Sequence, residues 1–375
     1  MAKTRRGSGE GSIFQRGDGL WTATLNIGYD EKGKRRRRTV YGKSKKVVQE
    51  KLTRLQADSL SGTLTAASRD SVADYLDRWL KDAVKPSTRD ATYRCYEGIV
   101  RNHINPRIGG VTLTKLTPLH IQGLYSSMER DGVSARVREL THAVLRRALN
   151  QGVKWGNLAR NVCTAVEKPK VQKKAMQVLR PEEAGRFLAA SKSDRLHALY
   201  VLALGTGLRQ GELLGLHWTH VDLRAGTLSV VQTLLENNGE LKLGEPKSAK
   251  GRRLVHLPAM AIEALREHRK LMLAEGHPGP WVFCDTEGGP LRKSNLLRRS
   301  FKPILKEAKL PEIRFHDLRH TAATLLLAEG VHPKVVQERL GHSQISLTLD
   351  TYSHVLPSMQ QEAAAKLDRL FATLA

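Results

Sequence analysis

Two stretches decide how this chain is read: Thr206-Gly207-Leu208-Arg209-Gln210-Gly211-Glu212-Leu213-Leu214-Gly215-Leu216 and, further on, Phe315-His316-Asp317-Leu318-Arg319-His320-Thr321. Each sets charged residues three apart in an apolar run. That spacing puts both side chains on one helix face while the leucines face a core. Arg209 is thereby expected beside Glu212, and His316 beside Arg319. Alone, an Arg-x-x-Glu pair is an ordinary structural ion pair. Leu340-Gly341-His342-Ser343 then reads as a helix stop followed by a new N-cap at Ser343. Tyr352 comes ten residues after His342 and is the only tyrosine beyond Tyr200.

Around these stretches the chain is strongly basic. Of its 375 residues, 62 are Lys or Arg and 37 are Asp or Glu, a formal charge of +25. Such an excess repels itself unless a polyanion is near, so the expected partner is nucleic acid. A ribosomal or membrane-surface protein is the plainer alternative. Cys95, Cys163 and Cys284 are too few and too scattered for a disulfide framework or a cysteine zinc site. The opening residues lack the apolar core of a signal peptide, and no apolar run is long enough for a membrane span. A cytoplasmic protein is expected.

The fold expected is mainly α with small β-sheets, an α+β chain in three domains. Residues 1–65 read as a basic three-stranded sheet with one helix. Its strand runs are Ser12 to Arg16, Leu20 to Ile27 and Arg35 to Tyr41, and its helix is capped by Ser44. Alternate side chains of a strand can enter a DNA groove, which makes Arg35, Arg36, Arg37 and Arg38 candidate DNA contacts; a solvated basic tail is the other reading. Residues 71–165 read as helical, with Arg136, Arg138, Arg146 and Arg147 as candidate phosphate contacts. Residues 166–175 form a basic linker in which Lys168, Lys170, Lys173 and Lys174 can track a phosphate backbone. Residues 176–375 form a larger mixed domain with one short antiparallel sheet, its strands at Thr227 to Leu235, Glu240 to Leu243 and Arg253 to Leu257.

Taken together, Arg209 in Thr-Gly-Leu-Arg-x-Gly-Glu, His316 and Arg319 in His-x-x-Arg, Gly341-His342 and Tyr352 resemble the tyrosine recombinase, or phage integrase, family. The match runs in order and spacing through the whole last domain. The upstream regions are similar to the arm-type and helical core-binding domains of lambda-type integrases. The resemblance implies a site-specific recombinase that cleaves and rejoins DNA through a 3′-phosphotyrosyl bond at Tyr352, integrating or excising a phage or other mobile element. It implies no cofactor and no metal. It also implies a homo-oligomer, a tetramer on DNA, with accessory bending or excision factors as further partners.

The physical chemistry agrees. A phosphodiester repels nucleophiles, so cleavage needs cations on its non-bridging oxygens, and Arg209 and Arg319 offer forked donors that stay charged. His316 and His342 add hydrogen bonds, and His316 can take the Tyr352 proton. The leaving oxygen needs a proton, which the family draws from a hairpin lysine; Lys247 is the expected donor and Lys250 its competitor. Glu212 orients its neighbours rather than reacting. The amphipathic segment Ser358 to Leu374 packs on its own domain or docks on a neighbouring protomer. Rival readings are a type IB topoisomerase, a non-catalytic DNA-binding regulator, and a zinc hydrolase built on His316 and His320.

Overall fold

The computed structural model describes residues 11–29, 35–60, 70–172, 177–237, 239–246, 251–342, 344–345, 364–365, 368–369 and 371–372, and only the backbone of residues 28, 29, 36 and 58–60. Tyr352, Lys247, Lys250, Lys173, Lys174, the Ser343 cap and all but a few positions of the final amphipathic segment lie outside the described residues. The chain divides into two compact units, Met1–Lys173 and Lys174–Ala375.

The first unit opens with three antiparallel strands, β1 (Ser12–Gln15), β2 (Trp21–Tyr29) and β3 (Arg35–Gly42), in the order β1-β2-β3, followed by α1 (Lys45–Leu60). Ser44 stands where its cap was expected, accepting from the Val47 N–H at 3.4 Å. Val48, Leu52 and Leu55 of α1 are buried with Ala23 and Leu25 of β2. The sheet register sets Ala23 opposite Val40 and Leu25 opposite Arg38. Because side chains alternate across a strand, Arg38 lies on the α1 side and Arg37 on the open side. Arg37 and Arg38 therefore point to opposite faces of the sheet. Arg35 and Arg37 are exposed and Arg38 is half-buried.

The rest of this unit is helical: α2 (Val72–Trp79), α3 (Asp90–Ile99), α4 (Asn105–Ile108), α5 (Pro118–Arg130) and α6 (Ala135–Lys154). Ser71 and Asp74 close a capping box at the start of α2, each side chain accepting from the other's backbone N–H. Val72, Tyr75, Leu76 and Trp79 recur at helical spacing and are all buried, and the Tyr75 hydroxyl donates to the Ala148 carbonyl at 2.5 Å. Burying each such large side chain contributes about 1.5–3 kcal/mol.

The second unit contains α7 (Pro181–Ala190), α8 (His197–Thr206), α9 (Gln210–Leu214), β4 (Val221–Asp222), β5 (Thr227–Val230), β6 (Thr233–Asn237), β7 (Glu240–Gly244), β8 (Arg253–His256), α10 (Ala259–Ala274), α11 (Lys293–Asn295), α12 (Lys302–Glu307), α13 (Phe315–Ala328) and α14 (Pro333–Leu340). Ala198 to Ala203 of α8 are buried without a break, so α8 is the central helix. Phe187, Tyr200, Phe301 and Phe315 cluster around it, with ring centroids 5.2 Å apart for Phe187–Tyr200 and 5.3 Å for Phe301–Phe315.

The single sheet expected here is two. β4-β5-β8 form one, and β6-β7 form a separate hairpin. The expected strand Thr227 to Leu235 breaks at Val231-Gln232, where the Gln232 amide donates to the Gly215 carbonyl at 2.8 Å. Beyond the break β6 lies so close to α9 that a Cβ on Gly215 would sit 2.7 Å from the Leu234 nitrogen. Two glycines in Gly211-Glu212-Leu213-Leu214-Gly215 thus draw the strand out of its sheet. Ala323 and Leu327 of α13 form a small core with Val336 and Leu340, which seats α14 on α13. Among the described residues, no helix is long and apolar enough to cross a membrane.

Candidate active site

The site begins where α8 ends. Gly207 adopts a left-handed φ of 66° and closes the helix through its N–H to the Ala203 carbonyl at 2.9 Å. The chain then turns into α9, and Arg209 is the residue that caps it. Its N–H donates to Glu212 Oε2 at 2.9 Å and its Nη1 to Oε1 at 2.8 Å. This corrects the expectation that the two residues share a helix face: Arg209 is extended, with φ −69° and ψ 149°. An acidic residue three places into a helix satisfies its orphan donors, and here it also fixes the guanidinium. The same arrangement starts α13, where Asp317 accepts from the Arg314 N–H at 2.8 Å and from its Nη2 at 2.7 Å.

That cap aligns α13 so that His316, Arg319 and His320 lie along it. Arg319 is 3 % exposed; its Nη1 donates to the Gly207 carbonyl at 2.8 Å and its Nη2 to the Leu340 carbonyl at 2.7 Å. The His316 and His320 rings meet edge to face at 4.9 Å. A zinc hydrolase needs a third ligand, and among the described residues no group of three His, Cys, Asp or Glu side chains converges to hold a metal.

The third element is the end of α14. Gly341, left-handed at φ 66°, stops the helix, and Arg209 Nη2 donates to its carbonyl at 3.2 Å. His342 follows directly. Its N–H donates to the Gln337 carbonyl at 3.1 Å and its own carbonyl accepts from the Gln337 amide at 3.0 Å, so the buried Gln337 clamps it on both sides. Arg209, Glu212, His316, Arg319 and His342 are thereby brought together from α9, α13 and the end of α14. Arg209 keeps 38 % of its side chain exposed, whereas Arg319 is enclosed.

Sequence reasoning left out Arg253, the first residue of β8. It is 7 % exposed and pairs with Glu212 at 2.9 Å. Its Nε donates to the Arg339 carbonyl at 2.7 Å and its Nη1 to the Gly251 carbonyl at 3.0 Å. The available signal was a charged residue opening an apolar strand just after a Lys-rich stretch of sequence. Burial alone would raise the Glu212 carboxyl, but the hydrogen bonds and charges of Arg253 and Arg209 outweigh it and hold the carboxyl below its ordinary value. Around this pair the histidines are kept neutral. Burial, then His320, Arg319 and Arg209, push His316 down to about 4; burial, then Arg319 and Arg209, push His342 down to about 4. His316 keeps an exposed edge, so its ring meets solvent while most of its surroundings are protein.

The outlying basic candidates separate. Arg138 forms an ion pair with Glu129 and is 16 % exposed. Arg136, Arg146, Arg147, Lys154 and Lys168 border an open cavity of about 720 Å³ along α6. Arg147 lies over the Tyr96 ring at 5.5 Å. Lys168 reaches Glu139 at 3.3 Å, and Lys170 is exposed.

Comparison with known proteins gives the family. Residues 177–359 match the phage integrase family, and residues 71–128 match the phage integrase N-terminal SAM-like domain. A tyrosine recombinase XerC-like protein of Caldanaerobacter subterraneus is 33 % identical, with 96 % of this chain and 98 % of the relative aligned. An integrase of Saccharopolyspora erythraea is 27 % identical over 98 % of each chain. Among solved structures, the Tn1549 transposon integrase superposes with a TM-score of 0.67 at 22 % identity, covering 80 % of this chain and 99 % of that one. A lambda integrase dimer gives 0.59 at 19 % identity, covering 93 % and 96 %; these two show a shared fold. The chain is a member of the phage integrase family of tyrosine recombinases.

Proposed function

We propose that this recombinase breaks one DNA strand by in-line attack of the Tyr352 hydroxyl on a phosphate held by Arg209, Arg319, His316 and His342. The observation that carries this reading is the convergence of two guanidinium groups and two neutral imidazoles on the end of α14. Two fixed cations offset charge building on the non-bridging oxygens. A neutral imidazole can accept a proton, so His316 serves as base toward the phenol. The new O–P bond forms as the bond to the 5′ oxygen breaks, leaving a 3′-phosphotyrosyl ester. The departing oxygen takes a proton from Lys247, with Lys250 as the competing donor. Reversal by another strand's 5′ hydroxyl completes transfer, because the ester conserves the energy of the broken link.

The partner proposed is double-stranded DNA at paired attachment sites. The open face of β1-β2-β3 carrying Arg37, the basic cavity along α6 and the linker lysines Lys168, Lys170, Lys173 and Lys174 follow its backbone. Solved relatives support this: the Tn1549 integrase was captured with transposon-end DNA, and lambda integrase as a dimer on a core site and a tetramer on a Holliday junction. Relatives named as the ICEBs1 integrase of Bacillus subtilis and the integrase of Mycobacterium phage L5 support a role in integrating, and by reversal excising, a phage or other mobile element. A tetramer on DNA, with accessory bending or excision factors and action in a bacterial cytoplasm, completes the proposal.

The test is a nicked suicide duplex run on a denaturing gel. Wild-type protein forms a covalent adduct, while Tyr352→Phe binds the duplex and forms none. An adduct that persists in Tyr352→Phe overturns the assignment.

A further inference from the structure

Three consecutive backbone carbonyls at the end of α14 are each held by a different arginine. Arg253 Nε holds that of Arg339 at 2.7 Å, Arg319 Nη2 that of Leu340 at 2.7 Å, and Arg209 Nη2 that of Gly341 at 3.2 Å. The last carbonyls of a helix have no partner within it and carry the negative end of its dipole, so cations are favoured there. Two of these arginines belong to the phosphate pocket. The third, Arg253, is 7 % exposed and shares Glu212 with Arg209.

We infer that Arg253 is a positioning residue for the recombination reaction: it fixes the carbonyl end of α14 and so places His342 against the phosphate. The inference rests on the proposed function above. Its donors join three parts of the site at once. They reach Glu212, whose carboxylate also caps α9 and holds Arg209; Arg339, three residues before His342; and Gly251, four residues after Lys247 in sequence. A guanidinium has a fork of donors pointing in different directions, whereas a lysine has one ammonium. Lysine at this position would keep the charge beside Glu212 and lose the grip on Arg339. Removing that grip frees the last turn of α14, and His342 moves with it. A misplacement of about 1 Å at a reacting group costs about 10²-fold in rate.

The test is a double-substitution cycle in the full-length protein, read by single-turnover adduct formation on the suicide duplex with gel-shift binding and thermal melting alongside. Arg253→Met is expected to lower cleavage about 10²-fold while the duplex is still bound, and Arg253→Lys to be nearly as slow. In a His342→Ala background, adding Arg253→Met is expected to cost no more than about twofold further, because both substitutions remove one contribution. Full activity in Arg253→Lys, or losses that multiply in the double variant, would overturn the inference. Should Arg253→Met melt below the assay temperature, Arg253→Lys takes its place in the cycle with the same two outcomes. Failure of wild-type protein to form an adduct would instead refute the parent reading and is seen in the first lane.

Discussion

Replacing Gly207 with alanine tests the packing on which the site depends. Gly207 has φ 66°, and a Cβ there would lie 2.5 Å from Leu340 Cδ2. Leu340 is itself 0 % exposed, so its methyl has no open space to enter. The left-handed backbone costs a residue with a Cβ about 1–2 kcal/mol, and forcing a carbon into a packed contact costs about 1–3 kcal/mol. Together they destabilise the second unit by about 2–5 kcal/mol. For a unit of this size each kcal/mol lowers the melting temperature by about 2–4 °C, so a fall of about 4–20 °C is expected by calorimetry. The same shift moves the Gly207 carbonyl that holds Arg319 and the Leu340 carbonyl beside it, so cleavage on the suicide duplex drops by about 10²-fold at a temperature where the protein is folded. Gly185→Ala is the internal control. It lies within α7, and a Cβ there meets nothing within 4 Å, so it stabilises by about 0.5–1 kcal/mol. A Gly207→Ala protein that melts with wild type refutes the packing argument, and one that melts lower but cleaves at full rate refutes the link to Arg319.

Two further outcomes follow from charge. His316 and His342 are both pushed down to about 4, so their protons are taken up in the native protein only near that pH, while an unfolded imidazole takes one up near 6.5. The unfolded chain therefore binds more protons across the pH window between those values, and native stability falls as pH drops from about 6.5 to about 4. The second-order cleavage rate of the free enzyme should keep its acid limb near the lower value; a limb at pH 6 to 7 would show that the imidazole acting as base is not held down by its surroundings. On β3, Arg37→Ala should weaken DNA binding and reduce the salt slope by about 0.9 for one lost phosphate contact, whereas Arg38→Ala, on the α1 side, should lower the melting temperature instead. Equal binding losses would mean that the sheet does not separate the two roles.

Much of the site could be read in the sequence because its chemistry demands rare residue types at short, helix-compatible spacings. His316 and Arg319 lie on one helix with the turn between them that the spacing implied, and Gly341 stops α14 as expected. What spacing cannot convey is which end of a helix a residue occupies: Arg-x-x-Glu fits a helix face and a capping box alike, and only the extended backbone of Arg209 decides. Arg253 escaped because its partners, Glu212 and Arg339, are distant in sequence and on different elements. The break between β5 and β6 escaped for a related reason. Thr227 to Leu235 is a good strand by composition, and the glycines of α9 that pull it out of its sheet act through space. The arginine run on β3 was legible as charge; its division between two faces needed the register.

The capture of α14's carbonyls by arginines bears on how the resting enzyme meets its substrate. A cationic pocket waiting for an anion must keep its side chains ordered in the meantime. Carboxylates would do so at the cost of cancelling the field that draws the backbone in. Amide dipoles orient without neutralising, so these carbonyls aim the guanidinium groups and leave their charge in place. The Glu212 carboxylate is divided between Arg209 and Arg253. An added acid at this helix end would leave a molecule that folds well and docks poorly.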